Sequence, residues 1–156
     1  MGTPAQRIHI HEVASRDGFQ IEPSFIPTED KIRFINALSH TGLAKIEVTS
    51  FVSPKAIPHL RDAEEVMKAI ERVADVIYVA LVPNARGAER ALMCKADELN
   101  VFMSVSETHN RANVNRSSEQ SLAGFKEVMD AVRGASAQVR MNASLSTSFG
   151  CPFEGN

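Results

Sequence analysis

The fold is decided by the stretch Ile8-His9-Ile10-His11-Glu12-Val13-Ala14-Ser15-Arg16-Asp17-Gly18-Phe19-Gln20. It opens as an apolar, β-branched run of the length expected for one strand. It then brings together a cation, an anion and a turn-permissive glycine, in Arg16-Asp17-Gly18. α/β folds keep their chemistry in the loops after strands, so this is a candidate functional site. Taken alone, the three residues favour a surface ion pair at a turn, because Arg-Asp-Gly is common in loops.

The rest of the chain alternates strand and helix. Segments of strand character lie at about Ile8–Val13, Lys45–Thr49, Val76–Val82, Glu98–Ser104 and Val139–Ser144. The third is almost wholly apolar, which is typical of a strand buried on both faces of a parallel sheet. Amphipathic helices separate these segments, so we expect parallel strands with right-handed crossovers. Periodicity alone does not distinguish an open doubly wound sheet from a closed barrel.

The helix boundaries are predicted from capping residues. Thr28 is the expected cap of the first helix. The patterns Asp62-x-x-Glu65 and Ser117-x-x-Gln120 each predict a capping box at the start of a later helix. The polar stretch Ser106–Ser117 predicts a long loop before the last helix.

Three motifs occur in the same order as in one enzyme family. They are Glu12-Val13-x-x-Arg16-Asp17-Gly18-Phe19-Gln20, Ile46-Glu47-Val48-Thr49-Ser50-Phe51-Val52-Ser53-Pro54-Lys55 and Gly150-Cys151-Pro152-Phe153-Glu154-Gly155. The first resembles the first-strand signature of metal-dependent lyases and synthases that act on acyl-CoA carbon–carbon bonds. The other two narrow the resemblance to the hydroxymethylglutaryl-CoA lyases. The resemblance implies an α/β fold, the (β/α)8 TIM barrel, of which this chain supplies about the first five strands and four helices. We therefore expect residues 1–156 to be the N-terminal portion of a single catalytic barrel domain.

The resemblance also implies roles for residues of the first motif. Asp17 would ligate a divalent cation, Mg²⁺ or Mn²⁺, beside two histidines and an asparagine from later strands. Arg16 would stabilise the enolate left by cleavage, and a planar, permanently charged fork suits that task. Gln20 would hydrogen-bond the substrate or the side chains around it.

Two residues of the second motif have more than one interpretation. Glu47 lies inside an otherwise apolar strand, where a lone buried charge would be costly. Its expected partner is Arg16, and a structural role and a catalytic role are both open. Ser50 matches a family position near the substrate, and the alternative is a hydrogen bond within its loop.

Several histidines and cysteines also need an interpretation. His9 and His11 share one face of the first strand and are expected to pack near the start of the sheet. His109 is a possible substrate contact, although we expect a surface histidine. Cys151 is assigned to the shape of its loop, because the reactive cysteine of the family lies on a later loop. Cys94 is assigned to packing on a helix.

Departures from the family pattern affect the expected substrate. Ala14-Ser15 replaces a common glycine-proline pair, and Ile21 and Pro23 replace asparagine and lysine. Asn142 interrupts the fifth strand. The substrate is therefore expected to be 3-hydroxy-3-methylglutaryl-CoA or a close analogue.

Composition limits the partners. The 17 basic and 19 acidic residues nearly cancel, which argues against nucleic acid. No apolar run approaches the ~20 residues that span a bilayer. Two cysteines without a spacing pattern indicate a reduced, cytoplasmic setting.

The implied function is cleavage to acetyl-CoA and acetoacetate, or the matching 3-oxo acid, in leucine degradation and ketone body formation. We expect a homodimer or higher oligomer with an acyl-CoA substrate. One alternative is a condensing synthase of the isopropylmalate or homocitrate type. A second is a non-catalytic scaffold, if the chain ends at Asn156.

Overall fold

The computed structural model describes residues 8–135 and 138–155. Five strands form one sheet, and they are β1 His11–Glu12, β2 Lys45–Ser50, β3 Ile77–Leu81, β4 Glu98–Ser104 and β5 Arg140–Ser146. The strands lie in chain order and every neighbouring pair is parallel, as predicted. A doubly wound sheet reverses its order at one point. Because this order never reverses, right-handed crossovers place the helices on one face, as in a barrel.

Helices connect each strand to the next. They are α1 Phe19–Ile21, α2 Thr28–Ser39, α3 Ala63–Ala69, α4 Ala85–Met93, α5 Glu107–Val114 and α6 Ser118–Gly134. A π-helical turn, Ala14–Gly18, precedes α1, and a 3-10 turn, Pro58–Leu60, precedes α3. The four predicted crossover helices correspond to α2, α3, α4 and α6. No helix in the described part of the chain is long and apolar enough to cross a membrane.

Helix α5 lies where a loop is predicted, so that prediction is wrong. The Ser106 hydroxyl accepts a hydrogen bond from the backbone N–H of His109 at 3.2 Å and caps the helix. The helix ends at Val114, and the C-cap residue Asn115 adopts the left-handed conformation with φ 54°. Its polar composition gives no buried stripe, and the stripe is the signal on which helix prediction depends.

Two of the three predicted capping interactions are also wrong. Thr28 is the first residue of α2, and its hydroxyl donates to Asp62 at 2.9 Å. Asp62 stands at the N-cap position of α3, but its side chain makes no capping bond within the described residues, because its carboxylate accepts from the buried ammonium of Lys31 at 2.7 and 2.9 Å. The capping box at Ser117 and Gln120 is confirmed, with both reciprocal bonds present.

The first strand is shorter than predicted. The backbone pairs as a strand only at His11–Glu12, although the Ile10 carbonyl also accepts from Ala44 and Lys45. Ile8, His9 and Ile10 are exposed, and His11 is half-buried, so the expected packing of His9 is not observed. β1 lies at an edge of the sheet and pairs only with β2.

The two faces of the sheet differ in chemistry. Side chains on one face pack against the helices in the main core, which includes Ile35, Ile46, Val48, Met67, Tyr78, Ala80, Cys94, Leu99, Val101 and Val128. Alternate residues of the same strands point to the opposite face. That face carries Glu47, Asn100 and Ser144, which are joined by hydrogen bonds. The polar face therefore positions the candidate site.

Candidate active site

Arg16 and Asp17 lie in the π-helical turn that follows β1. The backbone N–H groups of both residues donate to the Val13 carbonyl, at 3.0 and 2.8 Å. Gly18 has φ −62°, which any residue adopts, so glycine is not required here for a turn. The turn runs directly into α1, and single π-helical turns joined to α-helices are frequent at functional sites.

Three ionised side chains form a continuous chain at this place. Arg16 donates through Nη1 to Asp17 Oδ1 and through Nε to Glu47 Oε1, each at 2.5 Å. The side chain of Asp17 is 60% exposed, whereas that of Glu47 is 1% exposed. The predicted pairing of Glu47 with Arg16 is therefore present in the structure.

The position of Arg16 between two carboxylates fixes its guanidinium group. Among residues 8–135 and 138–155, Nη2 of Arg16 makes no hydrogen bond, while Nε and Nη1 are both engaged. A cation held in this way presents a donor without having to reorganise when negative charge develops nearby. The arrangement suits the stabilisation of an oxyanion.

A cleft of about 780 Å³ opens beside this group. Its lining includes Arg16, Asp17 and Gln20, and the last of these lies in α1. The volume lies within the range of small-molecule and cofactor sites, roughly 300–1,000 Å³. The rest of the lining is Val52, Ala56, Ile57, Leu81, Pro83, Asn100, Phe102, Ala112, Asn113, Val114, Asn115, Ser144 and Ser146.

Sequence analysis missed Asn100, which lines the cleft and binds Glu47. Its Nδ2 donates to Glu47 Oε2 at 2.8 Å, and it is 3% exposed. The signal that drew attention to Glu47, a polar residue within a buried strand, was also present at Asn100. The residues of α5 were missed because a loop was predicted there.

Ser50 ends β2 and is buried. Its hydroxyl accepts a hydrogen bond from the Val52 backbone N–H at 3.3 Å. This is the loop contact considered above as the alternative to a substrate contact.

Asp17 fits one position of a divalent-metal site. Carboxylate oxygen is the donor type that Mg²⁺ and Mn²⁺ prefer, and this carboxylate is exposed to the cleft. Within the described residues, no group of three or more His, Cys, Asp or Glu side chains is arranged to hold a metal ion. Asp17 would therefore need further ligands from outside the described residues.

The loop after β5 packs against the start of α5. The ring of His109 is half-buried. It bonds the Ser104 hydroxyl through Nδ1 at 2.7 Å, and it lies tilted against the Phe153 ring with the centroids 5.9 Å apart. His109 is therefore partly exposed and packs against the loop after β5. The thiol of Cys151 contacts the Ser106 hydroxyl at 2.9 Å. Burial acts to raise the pKa of the Cys151 thiol, but hydrogen bonds with Ser106 and backbone N–H groups outweigh it and lower that pKa.

The family model and the relatives found for this chain all indicate the same family. A family model described as HMGL-like matches residues 7–154. The chain is 54% identical over 149 residues to a hydroxymethylglutaryl-CoA lyase of Bacillus subtilis, covering 96% of this chain and 49% of that protein. It is 46% identical over 151 residues to the mitochondrial hydroxymethylglutaryl-CoA lyase of Gallus gallus, covering 97% of this chain and 50% of that protein.

Solved structures agree with these sequence matches. An HMG-CoA lyase from Acinetobacter baumannii in complex with coenzyme A and 3-methylmalate superposes with a TM-score of 0.92 at 49% identity. The match covers all of this chain and 50% of that one. The chain thus spans about half the length of the relatives it matches. Its five strands and their helices match the N-terminal half of a TIM barrel, which confirms the predicted fold class.

Proposed function

This chain belongs to the HMGL-like family, and from that premise we propose that it forms the N-terminal half of the catalytic barrel of a hydroxymethylglutaryl-CoA lyase. The proposed reaction cleaves 3-hydroxy-3-methylglutaryl-CoA, or a close analogue, to acetyl-CoA and acetoacetate or the matching 3-oxo acid. The observation that carries the proposal is the ionised chain Asp17–Arg16–Glu47 beside the cleft.

Arg16 is the proposed enolate-stabilising residue. Cleavage leaves negative charge on the thioester oxygen of the acetyl-CoA fragment. The guanidinium is permanently charged, and its orientation is set by Glu47 on Nε and by Asp17 on Nη1. Nη2 remains available to donate a hydrogen bond to the oxyanion. The proposed role of Glu47 is to orient the guanidinium group through its bond with Nε.

Asp17 is the proposed ligand of the divalent cation, Mg²⁺ or Mn²⁺, and the remaining ligands come from outside the described residues. The bound ion supplies Lewis acidity, which lowers the pKa of a substrate hydroxyl. Gln20 lines the cleft next to these groups and is proposed to hydrogen-bond the substrate. Ser50 is proposed to support the substrate through the loop that it orders.

The substrate class is proposed to be an acyl-CoA of the hydroxymethylglutaryl type. The Acinetobacter baumannii relative is described in complex with coenzyme A and 3-methylmalate, which supports a coenzyme A thioester with a branched, hydroxylated acyl group. We propose a cytosolic homodimer or higher oligomer serving leucine degradation and ketone body formation. Relatives include both a cytoplasmic enzyme of Homo sapiens and mitochondrial enzymes.

The test is an assay of the full-length protein that contains this chain. Incubated with hydroxymethylglutaryl-CoA and Mg²⁺ or Mn²⁺, it should release acetyl-CoA and acetoacetate, and EDTA should stop the release reversibly. A parallel incubation with acetyl-CoA and a 2-oxo acid examines the synthase alternative. Condensation without cleavage, or no reaction with any 3-hydroxyacyl-CoA, would overturn the proposal.

A further inference from the structure

Asn100 lies in β4, and both the nitrogen and the oxygen of its side-chain amide are hydrogen-bonded. Nδ2 donates to Glu47 Oε2 at 2.8 Å, and Oδ1 accepts from the Ser144 hydroxyl at 3.1 Å and from Asn142 Nδ2 at 3.3 Å. An ionised carboxylate only accepts hydrogen bonds, so the NH₂ group of Asn100 must face Glu47. The hydroxyl of Ser144 then donates to the amide oxygen of Asn100. The amide therefore has one orientation that satisfies all its neighbours.

Glu47 depends on this amide for its own orientation. Its carboxylate is almost fully buried, and within residues 8–135 and 138–155 each oxygen has one side-chain donor, Arg16 Nε on Oε1 and Asn100 Nδ2 on Oε2. With Arg16 as its single partner, the carboxylate would be free to turn about its own axis. The second bond, from a different strand, fixes the plane of the carboxylate. Because Arg16 Nε donates to Oε1 of this carboxylate, fixing the plane of the carboxylate also fixes the guanidinium group of Arg16.

We propose that Asn100 is a positioning residue for Arg16, acting through Glu47. It sets the plane of the Glu47 carboxylate and thereby the direction in which the free edge of the guanidinium enters the cleft. The proposal rests on the function proposed for Arg16 above. Its consequence is that polar residues of β5, Ser144 and Asn142, support Arg16, in the turn after β1, through two intervening side chains.

The sharpest test is Asn100→Asp in the full-length protein. At low pH the introduced carboxyl group is protonated, and its hydroxyl donates to Glu47 as the amide does. As the pH rises it ionises, and two carboxylates at this separation repel each other. We expect kcat relative to wild type to be nearly normal at the acidic end and to fall about 10²-fold as the pH rises, with a smaller change in KM.

Two further variants separate positioning from a merely structural role. Asn100→Leu keeps the size but removes the donor, so kcat should fall about 10²-fold at every pH without a new titration. Asn36→Asp makes the same chemical change on α2, where the side-chain oxygen accepts from the Glu71 backbone N–H at 2.8 Å. That control should keep the wild-type kcat and pH profile. Thermal unfolding of each variant establishes that it is folded.

A readout without turnover distinguishes failure of this inference from failure of the proposed function. The Nε–Hε NMR signal of Arg16, assigned by its loss in Arg16→Lys, should move with pH in Asn100→Asp and not in wild type. If the wild type is inactive but the Arg16 signal of Asn100→Asp moves with pH, the proposed function fails and the positioning role stands. If the wild type is active while the Asn100→Asp variant keeps a wild-type kcat profile and signal, the positioning role is overturned.

Discussion

The carboxylate of Asp17 is hydrogen-bonded through one oxygen, while most of its side chain is exposed. Oδ1 is bound by Arg16 at 2.5 Å, while the side chain as a whole is largely exposed to the cleft. A ligand residue needs both properties, because a carboxylate without support loses side-chain entropy when it binds an ion. The neighbouring guanidinium also holds this carboxylate in place beside the cleft.

The first prediction concerns Asp17→Asn in the full-length protein. The change keeps the size but removes the anionic ligand, so metal affinity should fall and cleavage should be nearly abolished. Titration with Mn²⁺ measures binding, and acetoacetate release measures the rate. The control is Asp30→Asn, since Asp30 is an exposed carboxylate that pairs with Arg33 on α2. Wild-type turnover by Asp17→Asn without added metal would show that Asp17 is not a ligand.

The second prediction concerns Arg16→Lys. A single ammonium cannot reproduce the planar fork that joins Glu47 and Asp17 and still leaves Nη2 free. The variant should fold and bind metal, while kcat falls by about 10²–10³-fold, the range seen when a donor to an oxyanion is removed. Arg33→Lys on the exposed side of α2 is the matched control. A near-normal rate in Arg16→Lys would mean that Arg16 only pairs structurally.

How far single residues could be predicted depended on the range of their contacts. The pairing of Glu47 with Arg16 could be predicted because consecutive strands of a parallel αβ alternation lie side by side. Asn100 could not be predicted in the same way. Its partners are 53, 42 and 44 residues away along the chain, and a folded sheet is needed to bring them together.

At the scale of elements, a capping pattern in the sequence predicted the observed cap only where no residue distant in sequence bound the capping side chain. Ser117 and Gln120 form their box because both partners lie within the same helical turn. Asp62 carries the same local pattern, but Lys31, from α2, takes its carboxylate. The ion pair is a stronger interaction than a cap to a neutral N–H, so the tertiary contact prevails over the local one.

The third prediction concerns Lys31, which joins α2 to the segment before α3. It is 2% exposed, and it binds Asp62 and the His59 carbonyl and lies over the ring of Phe25 at 4.2 Å. Lys31→Met leaves a buried carboxylate without its cation, so the free energy of unfolding should fall by about 3–5 kcal/mol. Urea unfolding followed by circular dichroism measures the loss.

Two companion variants make the Lys31 prediction specific. Adding Asp62→Leu removes the orphaned charge, so the double variant should be more stable than Lys31→Met alone. Lys126→Met breaks a surface pair with Asp130 on α6 and should unfold at the wild-type urea concentration. If Lys31→Met behaves like Lys126→Met, the buried pair does not hold the two elements together.

At the scale of the whole molecule, β5 is the strand whose outer edge and helix-side face are exposed within the described residues. β5 pairs with β4 on one side, and no strand lies on its other side among residues 8–135 and 138–155. Leu145 is 54% exposed, and by its register with Met103 it points to the helix-covered face of the sheet. No helix follows β5 in the described part of the chain. The relatives, about twice as long, supply the additional chain that a closed barrel needs.

The fourth prediction follows from this uncovered strand and concerns a polypeptide of residues 1–156. An open strand edge with apolar side chains beside it pairs with other chains, so the polypeptide should associate in light scattering. It should also lack lyase activity with Mg²⁺ or Mn²⁺, because Asp17 alone supplies too few ligands for a tight site. Leu145→Lys places a charge on the uncovered face and should reduce association, whereas Leu122→Lys, on the exposed side of α6, should not. A stable monomer of this length that cleaves hydroxymethylglutaryl-CoA would show that the half-barrel is sufficient, and the proposed dependence on further strands would be wrong.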